Sequence, residues 1–202
     1  MFRLIKITFN AFLLVLAIIG FNAIGGQKYV EMAKCGITNF VQQRAMESAR
    51  KLGDFSNLHE EFQIDNTVNL LGYKAVLAEH KVSGQKMCII DSGKKPLLTK
   101  EDIQGAGLEQ KLQDLVKNIK YQAVSFQEIK VVSRGMINVY GQNVPYAKFE
   151  AKSNKFPISD LAGIVAAVKT SDNSDKVIIS VSEKKKYSQL IAEEFFKNVK
   201  EN

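Results

Sequence analysis

Two histidines and two cysteines carry the most reactive side chains in this 202-residue chain, and their spacing decides what chemistry they could share. His59 is followed by Glu60 and Glu61, a trio that could supply metal ligands, although a histidine beside acids in a polar connector is more commonly solvated. His80 and Cys88 fall in the two arms of an expected hairpin. With Ser83-Gly84 as a two-residue turn, His80 would face Met87 and Glu79 would face Cys88. Imidazole and thiol then point to opposite faces of the sheet, which disfavours a Cys-His dyad. Cys35 and Cys88 could pair in an oxidising compartment. The plainer expectation is two unpaired cysteines, with Cys88 buried in a strand.

Other short patterns stop short of a site. Gly105-Ala106-Gly107 lacks the preceding strand, the further glycine and the Lys-Ser/Thr of a phosphate loop. Asp172 and Asp175 resemble part of a calcium loop but lack its spaced ligands and closing glutamate, so a hairpin turn is expected there. Lys184-Lys185-Lys186 could touch phospholipid or an acidic partner, with a solvated loop as the plainer reading. There is no H-E-x-x-H, C-x-x-C, G-x-S-x-G or Walker sequence. No catalytic, cofactor-binding or metal-binding residue is therefore assigned, no cofactor is expected, and the chain reads as a non-enzyme. Carboxylates assembled only by folding are the chemistry a sequence does not display.

The elements that would position any such residues begin with Phe9 to Gly26, FNAFLLVLAIIGFNAIGG, a run without charge. At about 1.5 Å per residue it spans roughly 27 Å as a helix, close to the hydrocarbon thickness of a bilayer. Residues 1–26 read as a membrane anchor in contact with lipid. The rival is an export signal, with Arg3 and Lys6 as a basic start, Ala11 to Ile19 as the apolar heart and Ala23-Ile24-Gly25 as a cleavage site near Gly25. The anchor is preferred because the run exceeds the usual ~7–15 residues of a signal's apolar segment and continues into a helical pattern. A soluble core helix would show a polar face, and this run has none. Arg3, Lys6 and the amino terminus bias the N-terminus towards the cytoplasm, leaving a single-pass protein with its C-terminal domain extracytoplasmic.

The composition beyond the anchor is that of a globular chain, 46% hydrophobic and 24% charged overall. The net charge of +7 does not point to nucleic acid, because only Arg3, Arg44, Arg50 and Arg134 offer the planar fork that such recognition uses. Scattered lysine is a solvated face. Residues 27–53 continue the helix as an amphipathic stalk, with Val30, Ala33, Ile37, Val41, Ala45, Ala49 and Leu52 on one stripe and Gly53 as its C-terminal cap. Residues 54–71 lack a sustained period and read as a connector. Residues 72–202 form the globular domain.

Within that domain the patterns predict strands at about Tyr73 to Val82 and Gln85 to Asp91, then a helix capped by Thr99 and Asp102. Gly105 and Gly107 break that helix before it resumes over about Leu108 to Lys120. Strands follow at Val124 to Ser133, Met136 to Tyr140, Val144 to Lys152, Gly163 to Thr170 and Lys176 to Ser182. A final helix has Ser182 as N-cap and an apolar stripe of Tyr187, Leu190, Ile191, Phe195 and Val199, widened by Phe196. The class is α+β, an antiparallel sheet flanked by helices.

The order of hairpin, helix, antiparallel meander and terminal helix resembles the PsbP-like alpha-beta-alpha sandwich family over about residues 70 to 200. The segments carrying the likeness are Asn143 to Ala151 (NVPYAKFEA), the VIISVS of Val177 to Ser182, and the EEFFKNVK of Glu193 to Lys200. The resemblance implies a binding or assembly factor, since members are mostly non-enzymatic and many are exported or lipid-anchored. It transfers no site residue, because none here matches a family site motif. The expected function is a membrane-anchored binding or assembly factor with an envelope protein as partner. The alternatives are a lipid- or ligand-binding module, which would hold an apolar cavity between sheet and helix, and an envelope hydrolase or thiol enzyme using Cys88.

Overall fold

The computed structural model describes residues 47–70, 73–93, 96–116, 126–153 and 160–202. The apolar run Phe9 to Gly26, Cys35 and most of the expected stalk lie outside the described residues. Among the described residues no helix is long and apolar enough to cross a membrane.

Seven strands form one antiparallel sheet: β1 (Phe62–Leu70), β2 (Tyr73–His80), β3 (Lys86–Asp91), β4 (Phe126–Val139), β5 (Gln142–Ser153), β6 (Leu161–Lys169) and β7 (Asp175–Glu183). Their spatial order is β1-β2-β3-β7-β6-β5-β4. Two meanders therefore meet at the β3–β7 seam. The chain leaves β3, crosses one face through helices α1 (Lys100–Gln104) and α2 (Leu108–Val116), and returns strand by strand from the far edge. Helix α3 (Gln189–Asn198) closes the other face.

The strand period of two sorts the core into two layers. Leu77, Cys88, Ile90, Val165 and Ile179 point to the α1/α2 face, where Leu97, Leu98, Ile103, Leu108 and Leu112 cover them. Val76, Met87, Ile89, Ile164, Ala166 and Ile178 point to the α3 face, under Ala192, Phe195, Phe196 and Val199. Phe195 and Phe196 are completely buried, each contributing about 1.5–3 kcal/mol of burial energy, and their rings meet edge to face 5.1 Å apart. The expected stripe is displaced at one position, for Leu190 is 76% exposed.

Several sequence expectations are met. Thr99 caps α1 reciprocally, its hydroxyl accepting from the Asp102 N–H at 3.2 Å and its own N–H donating to the Asp102 carboxylate at 2.8 Å. The sheet flanked by helices is present, and the pair β6–β7 turns where the polar loop was expected.

Others are corrected. The expected connector 54–71 contains β1, whose alternation is interrupted where Asp65 bulges out of the pairing with β2. The β2–β3 pairing is offset by two residues from the expected one: Met87 faces Ala78 and Cys88 faces Leu77. The cause is a longer turn, in which the His80 N–H donates to the Gln85 carbonyl at 2.9 Å across Lys81 to Gly84, with Gly84 at φ +70°. A shift of two preserves the faces, so His80 and Cys88 do lie on opposite sides. The two strands expected either side of Gly135 are one strand, β4. The Tyr146 ring packs over Gly135, where a Cβ would come 2.8 Å from Tyr146 Cε1, and the register slips between Val131 and Ser133 account for the uneven alternation. β4 and β5 are joined by Tyr140-Gly141, both at positive φ (53° and 75°), a primed two-residue turn in place of the expected Gly141-Gln142-Asn143, whose last two residues belong to β5.

Ser182 lies inside β7, and α3 starts at Gln189 after the turn 184–186. Ser188 makes no side-chain cap. Gln85 supplies one from the sheet, accepting the Ser188 N–H at 2.9 Å and donating to the Ser188 carbonyl at 2.8 Å and the Ser180 hydroxyl at 2.9 Å. Gly53 is not a left-handed cap either. It serves close packing, since a Cβ there would lie 2.9 Å from Val199 Cγ1 and 3.1 Å from Tyr140 Cε1.

Candidate functional site

The β2–β3 turn assembles a hydroxyl, an imidazole and a carboxylate in a row. Buried His80, packed on the Phe62 ring at 5.1 Å, has Nδ1 2.9 Å from Ser83 Oγ and Nε2 3.3 Å from Glu61 Oε2. The Ser83 backbone N–H also donates to Nδ1, at 3.2 Å, which fixes the tautomer: Nδ1 accepts and Nε2–H donates to Glu61. A serine hydrolase needs this relay and, in addition, N–H donors aimed at a developing oxyanion. Here the turn consumes them: Ser83 N–H goes to His80, Gly84 N–H to the His80 carbonyl at 2.8 Å, and Gln85 N–H to Ser83 Oγ at 3.2 Å. The arrangement locks a hairpin. His59, exposed, stands 3.7 Å from the same Glu61 carboxylate.

The remaining sequence candidates are accounted for locally. Cys88 is buried among apolar side chains and burial pushes its thiol pKa up, which keeps it protonated and unreactive. Gly105 meets Arg134, whose guanidinium donates to the Ile103 carbonyl at 3.1 Å and the Gly105 carbonyl at 3.0 Å, closing the end of α1. Asp172 accepts from Thr170 Oγ1 at 2.7 Å and from the Ser174 N–H at 3.0 Å. These bonds, the Thr170 one first, hold its carboxyl below the usual range and organise the hairpin turn. Lys184 pairs with Glu150 at 2.6 Å and Lys186 with Glu183 at 3.0 Å, while Lys185 is exposed.

The most built site lies where the end of the expected stalk enters the body. Residues 47–49 are helical, and Ala49, Leu52 and Phe55 are buried under the α3 face. The Leu52 carbonyl, exposed by the end of that turn, accepts the Tyr140 hydroxyl at 2.5 Å and the Lys176 ammonium at 3.4 Å. Lys176 also stands 4.9 Å from the Tyr140 ring centroid. Burial pulls the Lys176 pKa down, against the opposing pull of Asp172, Asp91 and Glu201, and burial pushes the Tyr140 phenol up. A two-bond bridge joins Asp54 to Lys200, N–H to carbonyl at 2.8 Å and 3.0 Å in the two directions. Asn202 donates to the Arg50 carbonyl, and the Ser171 N–H donates to the Glu201 carboxylate.

Two turn loops, one lysine and the C-terminal residues thus converge on a single helix end. The arrangement can grip a peptide segment; it presents no nucleophile beside a base. Sequence reasoning passed over Tyr140 and Lys176. The available signals were a tyrosine in a two-residue turn and a lysine opening an otherwise apolar strand.

No protein-family model matches the chain, and no curated protein matches it in sequence. Among solved structures it is similar to protein CV1439 from Chromobacterium violaceum at 9% identity, over 78% of this chain and 80% of that one. The TM-score of 0.21 is too low to carry an argument about fold or function.

Proposed function

We propose that the protein is a membrane-anchored, non-enzymatic binding or assembly factor whose α+β body, of the PsbP-like type, is held outside the cytoplasm by the N-terminal apolar helix. The observation that carries this reading is the grip on the stalk's end. Ala49 and Leu52 are core residues, and the Leu52 carbonyl is held by Tyr140 and Lys176. With Ala49 and Leu52 in the core, the chain that follows the anchor enters the body through fixed contacts, which supports a positioning or assembly role. The layering of helices on both faces of an antiparallel sheet, ending in α3, supports the PsbP-like comparison.

The test of this reading is affinity capture from membranes with a tagged full-length chain beside one lacking residues 1–26. An envelope protein retained by both forms supports recognition by the folded body. Capture only by the full-length form assigns recognition to the membrane helix, and capture by neither overturns the proposal. The mass of the mature N-terminus separates an uncleaved anchor from cleavage near Gly25.

A further inference from the structure

β4 is an edge strand, and its two halves are treated differently. In the first half, outward-facing backbone groups are satisfied by α2: the Ile129 N–H donates to Gln113 Oε1 at 3.1 Å and the Val131 N–H to Glu109 Oε1 at 2.7 Å. Side chains there stand in for a neighbouring strand. Beyond the slip at Val132 the outward residues follow from the pairing with β5. Val139 and Gln142 close the two-residue turn as a hydrogen-bonded pair, so the alternation makes Arg134–Ala147, Met136–Pro145 and Asn138–Asn143 the pairs that do not bond each other. Pro145, which has no N–H, fits that assignment. Arg134, Met136 and Asn138 therefore aim one N–H and one C=O each away from the sheet. Exposed apolar side chains lie on the same stretch, Met136 at 59% and Val132 at 47%.

We infer that this stretch, open among the described residues, pairs with the same stretch of a second copy, antiparallel and about a two-fold axis at Met136. The self-complementarity of the opening about its centre selects that occupant. α2 closes the edge at Val131 and the turn ends it at Gly141, and the midpoint of those limits is Met136. In that register residue 131 lies opposite residue 141 of the partner copy, so each strand ends where the other's helix begins to block. Met136 meets its own equivalent, an apolar self-contact at the centre, as an isologous interface demands. Arg134 lies opposite an asparagine, so no like charges face each other. The Arg134 guanidinium is already turned onto α1. The inference is independent of the partner protein proposed above.

The test is the molar mass of the full chain in detergent, measured by light scattering, for wild type, Met136→Pro and Met136→Lys. Met136 N–H makes no bond to β5, so proline there removes an outward donor while sparing the sheet, and circular dichroism checks that the fold is kept. The expected result is a doubled protein mass for wild type and single mass for Met136→Pro. A monomeric wild type overturns the inference, as does a folded Met136→Pro that remains dimeric. If Met136→Pro fails to fold, Met136→Lys decides, since it places two ammonium groups together on the axis and should give single mass. A second readout uses Met136→Cys with Cys35→Ser and a short bifunctional maleimide: cross-linked dimer is expected, and its absence from a chain of double mass places the contact elsewhere and overturns the register.

Discussion

Lys86 and Lys176 lie on adjacent strands, each about 5% exposed, at opposite ends and on opposite faces of the β3–β7 seam. Lys86 is clamped between two carboxylates, Asp65 at 3.0 Å and Glu79 at 2.7 Å, themselves largely buried. Lys176 has no carboxylate within ion-pair distance among the described residues; it rests on a carbonyl and an aromatic ring. The difference teaches what each is for. A cation between two anions fastens the bulged edge strand β1 to its neighbours and has no slack. A cation held by a helix end and a ring is a weaker clasp, placed where an incoming segment must be recognised.

The largest expected effect tests the clamp. Lys86→Met leaves Asp65 and Glu79 facing each other without their cation and should cost about 3–5 kcal/mol of stability, read from urea unfolding of the full chain. Next is Tyr140→Phe, which takes the short hydroxyl bond from the Leu52 carbonyl and should cost about 1–2 kcal/mol. It should also increase proteolytic cleavage around residues 50–55. Lys176→Met should cost about 1 kcal/mol or less, because it removes a poorly solvated charge along with its weak contacts. Equal losses for the two lysines would erase the distinction.

A pH series sharpens the comparison. Folding lowers the Lys176 pKa, so between the folded value and about 10.4 the unfolded chain binds the extra proton. Wild type should gain stability as pH rises through that window, and Lys176→Met should lose that gain. The smallest effect belongs to Ser83→Ala near the Lys86 end, about 0.5 kcal/mol, with hydrolysis of a simple ester unchanged from background. A measurable turnover abolished by this substitution would make the hairpin lock an active site.

Much of the body was legible because it rests on local patterns. The reciprocal cap of Thr99 and Asp102 needs only a three-residue spacing. The opposed faces of His80 and Cys88 survived a wrong turn length, since a two-residue slip leaves a period of two unchanged. The misses have a common origin in partners distant along the chain. β1 is hidden by a bulge at Asp65, a residue whose place only becomes intelligible beside Lys86. α3 begins late because Gln85, a hundred residues earlier, supplies its cap. Gly135 reads as a strand breaker until Tyr146 packs over it. The Lys176 clasp depends on a helix end, a turn tyrosine and a strand lysine, which no window of sequence contains together.

The Asp54–Lys200 bridge has a mechanical consequence. It pins the entry of the body to its last residues, so a pull on the tether resisted by something fused after Asn202 would load the Asn202–Arg50 contact and the grip on Leu52, and then those two hydrogen bonds. The seven strands would stay outside the line of force. The corner would open as a latch, at low force and before the sheet yields, and a fluorophore pair at Arg50 and Asn202 would report the opening under optical-trap loading.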